Sequence, residues 1–96
     1  MRKSNSLTLK EALNLFLKKY NYEERFYQSR LLVFWERAMG KEIARQTELF
    51  MLRNGILTIG LSSAALKNEL AYAKKKVMQM LNKEAGKDII KDIIIK

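Results

Sequence analysis

The residues of this sequence that could do chemistry are mainly lysines, and five of them lie close together in its second half. Lys74, Lys75 and Lys76 are consecutive, with Lys67 before them and Lys83 after them. A lysine ammonium is a compact point charge that contacts phosphate without reading a base sequence. The five lysines therefore predict a phosphate-contacting surface. Most lysine runs of this kind form a solvated surface that binds no ligand, and that alternative stays open.

Two arginines would extend this surface. Arg45 precedes a predicted β-hairpin, and Arg53 stands at the hairpin tip, where a basic side chain can reach into a groove. The alternative is that turn residues are polar only because they are exposed. Tyr72, within the lysine-rich stretch, is a candidate for stacking on a base. Packing of its ring on the stem of Lys76 is the alternative.

The sequence lacks the side chains that most enzymes use. It contains no histidine and no cysteine, so it has no imidazole base, no thiol nucleophile and no metal ligand of either kind. The acidic residues are scattered, and the neighbours Glu23 and Glu24 would point about 100° apart on a helix. We therefore expect no enzymatic activity, no cofactor, no metal and no small-molecule substrate.

Length and charge narrow the class of protein further. The 96 residues suffice for one domain, and a formal net charge of +9 attracts polyanions. Nucleic acid is the favoured partner, and an acidic protein is the alternative. No apolar run approaches the roughly 18 residues of a membrane span, and the N-terminal residues do not lead into a signal peptide. Together with the lack of cysteine, this predicts a cytoplasmic protein without a membrane partner.

The first predicted helix opens with a capping box. Thr8 and Glu11 have the spacing at which each side chain satisfies a backbone N–H of the other residue. Apolar residues then follow at helical spacing up to Asn21, which ends the helix. They are Leu9, Ala12, Leu13, Phe16, Leu17 and Tyr20.

The second predicted helix runs from about Tyr22 to Met39. Gly40 is expected to end it in a left-handed conformation, with one further short turn over 41–45. Trp35 falls on its apolar stripe and is expected to be a core or partner-contact residue. The stripe consists of Tyr27, Leu31, Phe34, Trp35 and Ala38. The apolar residues off the stripes, which would form an exposed patch if contiguous, are Leu15, Phe26 and Val33.

A β-hairpin is predicted next, with strands over 47–52 and 56–61. Asn54-Gly55 lies between them, and Asn-Gly flanked by apolar segments is the strongest short-range hairpin signal. Both residues tolerate the positive φ of a type I′ turn, which makes Asn54 and Gly55 structural residues.

A long third helix and a last strand complete the prediction. Ser62-Ser63 cap the helix, Leu70 lies at the middle of its apolar stripe, and Gly86 ends it. The stripe consists of Leu66, Leu70, Ala73, Val77, Met80 and Leu81. The isoleucine-rich segment 88–96 is predicted to pair in parallel with a hairpin strand. The predicted fold is α+β, of order α-α-β-β-α-β, with a three-stranded mixed sheet covered by helices. It is expected to fill 1–96 as one domain, with residues 1–7 flexible.

The order and spacing of several short motifs resemble the DciA-like family over about Thr8 to Ile95. The motifs are Trp35, Gly40, Ile43-Ala44, Thr47, Asn54-Gly55, Leu57, the run 62–70, Leu81-Asn82, Gly86 and the segment 90–93. The resemblance implies a KH-like domain, similar to the amino-terminal domain of the initiator DnaA. It also implies DNA binding together with loading or regulation of the DnaB-type replicative helicase.

Some features depart from the family pattern. Many members carry an aromatic residue where Leu66 stands and a histidine where Gln46 stands. Many also add a disordered basic extension, of which this sequence has almost none, so contacts that depend on it are expected to be missing. The GXXG clamp of KH domains does not occur, so a KH-like domain here must bind without it.

The leading hypothesis is therefore a replication accessory factor that contacts DNA through the lysines and arginines named above and a helicase through another face. One alternative is an adaptor whose charge meets an acidic protein without DNA, and another is an RNA-binding module.

Overall fold

Helices and a small mixed sheet make up the chain, in a computed structural model that describes residues 8–19 and 22–96. The elements, in chain order, are α1 (Leu9–Lys19), α2 (Glu23–Gln46), β1 (Thr47–Arg53), β2 (Ile56–Leu61), α3 (Ala64–Tyr72), α4 (Lys74–Ala85) and β3 (Asp92–Ile95). The predicted α+β class and three-stranded mixed sheet are confirmed. The order differs from the predicted one by one additional helix and is compatible with a KH-like arrangement.

Helix α1 begins with the predicted capping box but leaves its apolar face uncovered. The Thr8 N–H donates to Glu11 Oε1 at 2.9 Å, and the Glu11 N–H donates to Thr8 Oγ1 at 3.1 Å. Leu9 is 87% exposed and Phe16 is 50% exposed. The predictions for residues 1–7, Tyr20 and Asn21, and for the side chain of Leu17, lie outside the described residues.

Helix α2 places Trp35 in the core, as predicted. Tyr27, Leu31 and Trp35 are buried, whereas Phe34 is half-buried and Ala38, predicted on the same stripe, is exposed. The three residues off the predicted stripes, Leu15, Phe26 and Val33, are exposed.

A kink at Gly40 separates the main part of α2 from its last turns. Gly40 has φ 89° and ψ 170°, so its positive φ is confirmed, but its ψ places it outside the left-handed helical conformation, in a region that only glycine adopts readily. The short turn predicted over 41–45 follows and runs to Gln46. There Thr47 Oγ1 donates to the Ile43 carbonyl at 2.7 Å and accepts the Trp35 Nε1–H at 3.1 Å. The kinked end of α2 is thereby tied to the buried indole.

The strand order is β1-β2-β3, with β2 antiparallel to β1 and parallel to β3. Rows of apolar residues cross one face of the sheet because side chains alternate along each strand. One row joins Leu52, Leu57 and Ile93. The last strand is shorter than the predicted segment 88–96, although Ile89 and Ile90 are buried before it begins. Parallel pairing of β2 with β3 needs a long crossover, and α3 and α4 supply it.

A break at Ala73 divides the predicted third helix in two, so the prediction of a single long helix was wrong. Ser63 caps α3, accepting the Leu66 N–H on its side chain, and Gly86 ends α4 with φ 80°. A straight helix over 64–85 would be about 33 Å long, whereas the longest strand spans about 23 Å. Leu70 on α3 and Val77 on α4 are both in the core, on the two sides of the break.

Candidate nucleic-acid interface

The hairpin tip is anchored to the start of α2. Asn54 and Gly55 both have positive φ, as predicted. The Glu24 carboxylate accepts the Asn54 N–H at 2.9 Å and the Gly55 N–H at 2.7 Å, and the Gly55 carbonyl accepts the Lys91 N–H at 2.6 Å. The backbone of the tip is therefore fixed from two sides, and the side chain of Arg53 beside it is exposed.

The two predicted arginines are exposed, and neither lines the cleft or groove that the lysines line. Arg53 borders a shallow groove with Glu24, Arg25 and Gln28. Arg45 lies in the last turn of α2, where its Nη2 is 2.7 Å from both carboxylate oxygens of Glu42. An exposed pair of this kind adds little stability, but it offsets the charge of Arg45 locally.

The five predicted lysines are all exposed, and the structure divides them into two groups. Lys74 and Lys75 line a cleft between α4 and the start of β3, and Lys83 lines a groove farther along α4. Lys76, on the same helix, lines neither depression, and neither does Lys67 of α3.

The cleft and the groove share Met78 and run along the same side of α4. We call these two adjacent depressions, between α4 and the segment 86–93, the α4 seam. Its charged residues are Lys74, Lys75, Lys83, Lys87, Lys91, Asp88 and Asp92. Basic charge therefore dominates the seam.

Two lysines of the seam, Lys87 and Lys91, were missed in the sequence. They follow Gly86, in a segment whose sequence predicts the beginning of a strand. Lys83, Lys87 and Lys91 follow one another at intervals of four residues, which was a signal, but the end of the helix at Gly86 removed the reason to group them. Lys87 Nζ lies 2.8 Å from Glu23 Oε2 and 5.7 Å from the centre of the Tyr27 ring.

Asn82 holds the two walls of the seam together. Its side-chain nitrogen donates to the Ile90 carbonyl at 3.0 Å, and its side-chain oxygen accepts the Ile90 N–H at 2.9 Å. Asp92 uses one carboxylate oxygen to accept the Ile93 N–H at 2.8 Å. These bonds fix the segment 86–93 beside α4, which brings Lys87 and Lys91 close to the helix.

The candidate structural residues lie where the sequence placed them. Trp35 and Leu70 are in the core, Gly40 is at the kink of α2, and Gly86 is at the end of α4. Tyr72, the candidate for base stacking, is 94% exposed at the end of α3.

Residues 8–19 and 22–96 contain no group of three or more acidic side chains placed to hold a metal ion. Within these same ranges, no helix has both the length and the apolar character needed to cross a membrane.

Comparison with known proteins gives one match. The family described as "Dna[CI] antecedent, DciA" matches residues 8–95. No curated protein and no solved structure matches the chain. The family match runs from the cap of α1 to the end of β3 and so includes the hairpin anchor and the whole α4 seam. The chain therefore belongs to the DciA family.

Proposed function

We propose that this protein is a DNA-binding accessory factor of replication that helps to load or regulate the DnaB-type replicative helicase. The DciA family is associated with loading of that helicase and is not a known family of enzymes. The family supports the replication role, and we place that role in the cytoplasm.

The observation that carries the DNA half of the proposal is the concentration of lysines along the α4 seam. Five lysines and two aspartates line the two adjacent depressions of the seam, in a chain whose net charge is +9. Clefts lined by charge of one sign focus the electrostatic potential and attract a polyanion. Phosphate contact by lysine carries no base information, so the proposed binding is independent of sequence.

A titration of dye-labelled DNA at several salt concentrations tests this half. Each neutralised phosphate releases counterions, so the logarithm of the binding constant should fall linearly with the logarithm of salt concentration. Contact with about three phosphates predicts a slope of roughly −2 to −3. Binding that ignores salt, or that is only millimolar at low salt, would contradict DNA binding. Competition among single-stranded DNA, duplex DNA and structured RNA identifies the preferred ligand.

Co-purification with the replicative helicase tests the other half. Tagged protein should retain purified helicase, and nuclease treatment should leave the complex intact because the contact is between proteins. A complex that nuclease abolishes would mean that DNA merely bridges the two proteins. A chain that retains helicase but binds no DNA would be a protein adaptor.

A further inference from the structure

We propose that the α4 seam is the path of one strand of DNA phosphates, and that Lys87 and Lys91 belong to the contact while Lys67 and Lys76 do not. This inference rests on the proposed DNA binding and gives it a location. A general electrostatic attraction would bring DNA to all exposed lysines alike. The inference instead separates the lysines that contact DNA from those that do not.

The length of the seam suits a short stretch of one strand. Lys75 and Lys83 both line it and are eight residues apart on α4, which corresponds to about 12 Å along the helix axis. Phosphates of one strand of B-DNA rise 3.4 Å or so each along the duplex axis and are farther apart along the strand itself, so this distance spans at most about three or four of them. The number of lysines in the seam is close to that number of phosphates.

The lysines of the seam approach it from two sides. Lys83 projects from α4, whereas Lys87 and Lys91 come from the segment that Asn82 ties to the helix. A phosphate placed in the seam would meet positive charge from both walls. Lys76 lines neither depression of the seam.

Asn82 itself is not free to read a base. Both ends of its side-chain amide are bonded to the backbone of Ile90. Base recognition by an asparagine requires that same pair of donor and acceptor atoms. The seam can therefore contact phosphates, but Asn82 cannot contribute to recognition of the base sequence.

Glu23 already pairs with Lys87, one of the lysines of the seam. Its Oε2 lies 2.8 Å from Lys87 Nζ, and both side chains are partly shielded from water, with exposures of 20% and 40%. A DNA phosphate that engages Lys87 must compete with this carboxylate. The charge of Glu23 should therefore weaken DNA binding more than that of an acidic residue far from the seam.

A pair of double variants tests the location. Lys83→Ala with Lys91→Ala removes two charges from the seam, and Lys67→Ala with Lys76→Ala removes two from outside it. The seam variant should bind labelled DNA severalfold more weakly and should reduce the salt slope by about 2. The control variant should keep nearly the wild-type slope. Unchanged melting of both variants establishes that the fold is intact.

Glu23→Gln tests the competing carboxylate, with Glu36→Gln on the exposed side of α2 as its control. Both variants raise the net charge equally, but only the first frees Lys87, so it should bind DNA severalfold more tightly than the control. If Glu23→Gln and Glu36→Gln bound DNA with equal affinity, or if the two double variants lost equal affinity, the seam would not be the contact site. DNA binding itself would still stand. Wild-type protein that shows no salt-dependent binding would overturn the proposed function as well.

Discussion

One amide side chain, Asn82, determines where two lysines of the seam lie. Its two hydrogen bonds to Ile90 are partly buried and join α4 to the segment that leads into β3. No residue type in the segment 87–91 predicts this connection, because it depends on the side chain of a helix residue several positions earlier. Lys87 and Lys91 were missed for this reason.

Asn82→Asp should destabilise the protein by about 1–3 kcal/mol at neutral pH. The ionised carboxylate can accept the Ile90 N–H, but it cannot donate to the Ile90 carbonyl, which would lose its partner and face a negative charge. Urea denaturation measures the loss. The matched control is Asn68→Asp, at an exposed position of α3, which should change the free energy of unfolding by less than about 0.5 kcal/mol. Equal effects of the two variants would show that the Ile90 bonds add no stability.

At the scale of the elements, the helix caps and the turn were predictable, whereas the break at Ala73 was not. The capping box of Thr8 and Glu11, the hairpin at Asn54-Gly55 and the end of α4 at Gly86 are encoded by neighbouring residues. Alanine is the strongest helix former, so Ala73 carries no local signal for a break. On its two sides the crossover packs differently, with α3 against β2 and β3 and α4 against α2 and β3, and neighbouring residues do not encode such long-range contacts.

The cap of α1 should respond to acid. The backbone N–H of Thr8 donates to the Glu11 carboxylate and, together with the Thr8 hydroxyl, lowers the pKa of Glu11 below its ordinary value of 4.5. A lowered folded-state pKa means that the stabilisation is complete above the unfolded-state pKa and is lost as pH falls through the folded-state pKa.

In an NMR titration, the amide proton of Thr8 should report the protonation of Glu11 with a midpoint below 4.5. In a Glu11→Gln variant this titration step should disappear, because no carboxylate remains at that position. A midpoint at or above the ordinary value would show that the capping box is open in solution.

At the scale of the whole molecule, α1 is attached more loosely than the rest. It packs mainly on α2, its apolar residues Leu9, Leu13 and Phe16 are substantially exposed, and a helix of 11 residues is marginal on its own. The central strand β2 instead carries three core residues, Leu57, Ile59 and Leu61. The stability of the chain should therefore be uneven along its length.

Native-state hydrogen exchange should show this difference. Amides of α1 should exchange through local opening at a lower free energy than amides of β2, whose exchange should require global unfolding. Added denaturant should steepen exchange in β2 and leave exchange in α1 nearly unchanged. Equal protection of the two elements would mean that α1 unfolds with the core.

The position of Trp35 determines whether intrinsic fluorescence can be used to follow DNA binding. It is the only tryptophan of the chain, its side chain is fully buried, and its ring lies 5.7 Å from that of Phe50. Intrinsic emission should therefore be blue-shifted and insensitive to a ligand on the exposed seam, so complex formation has to be followed from a dye on the DNA. The same emission supplies an internal gauge of core integrity, readable in the cuvette in which affinity is measured.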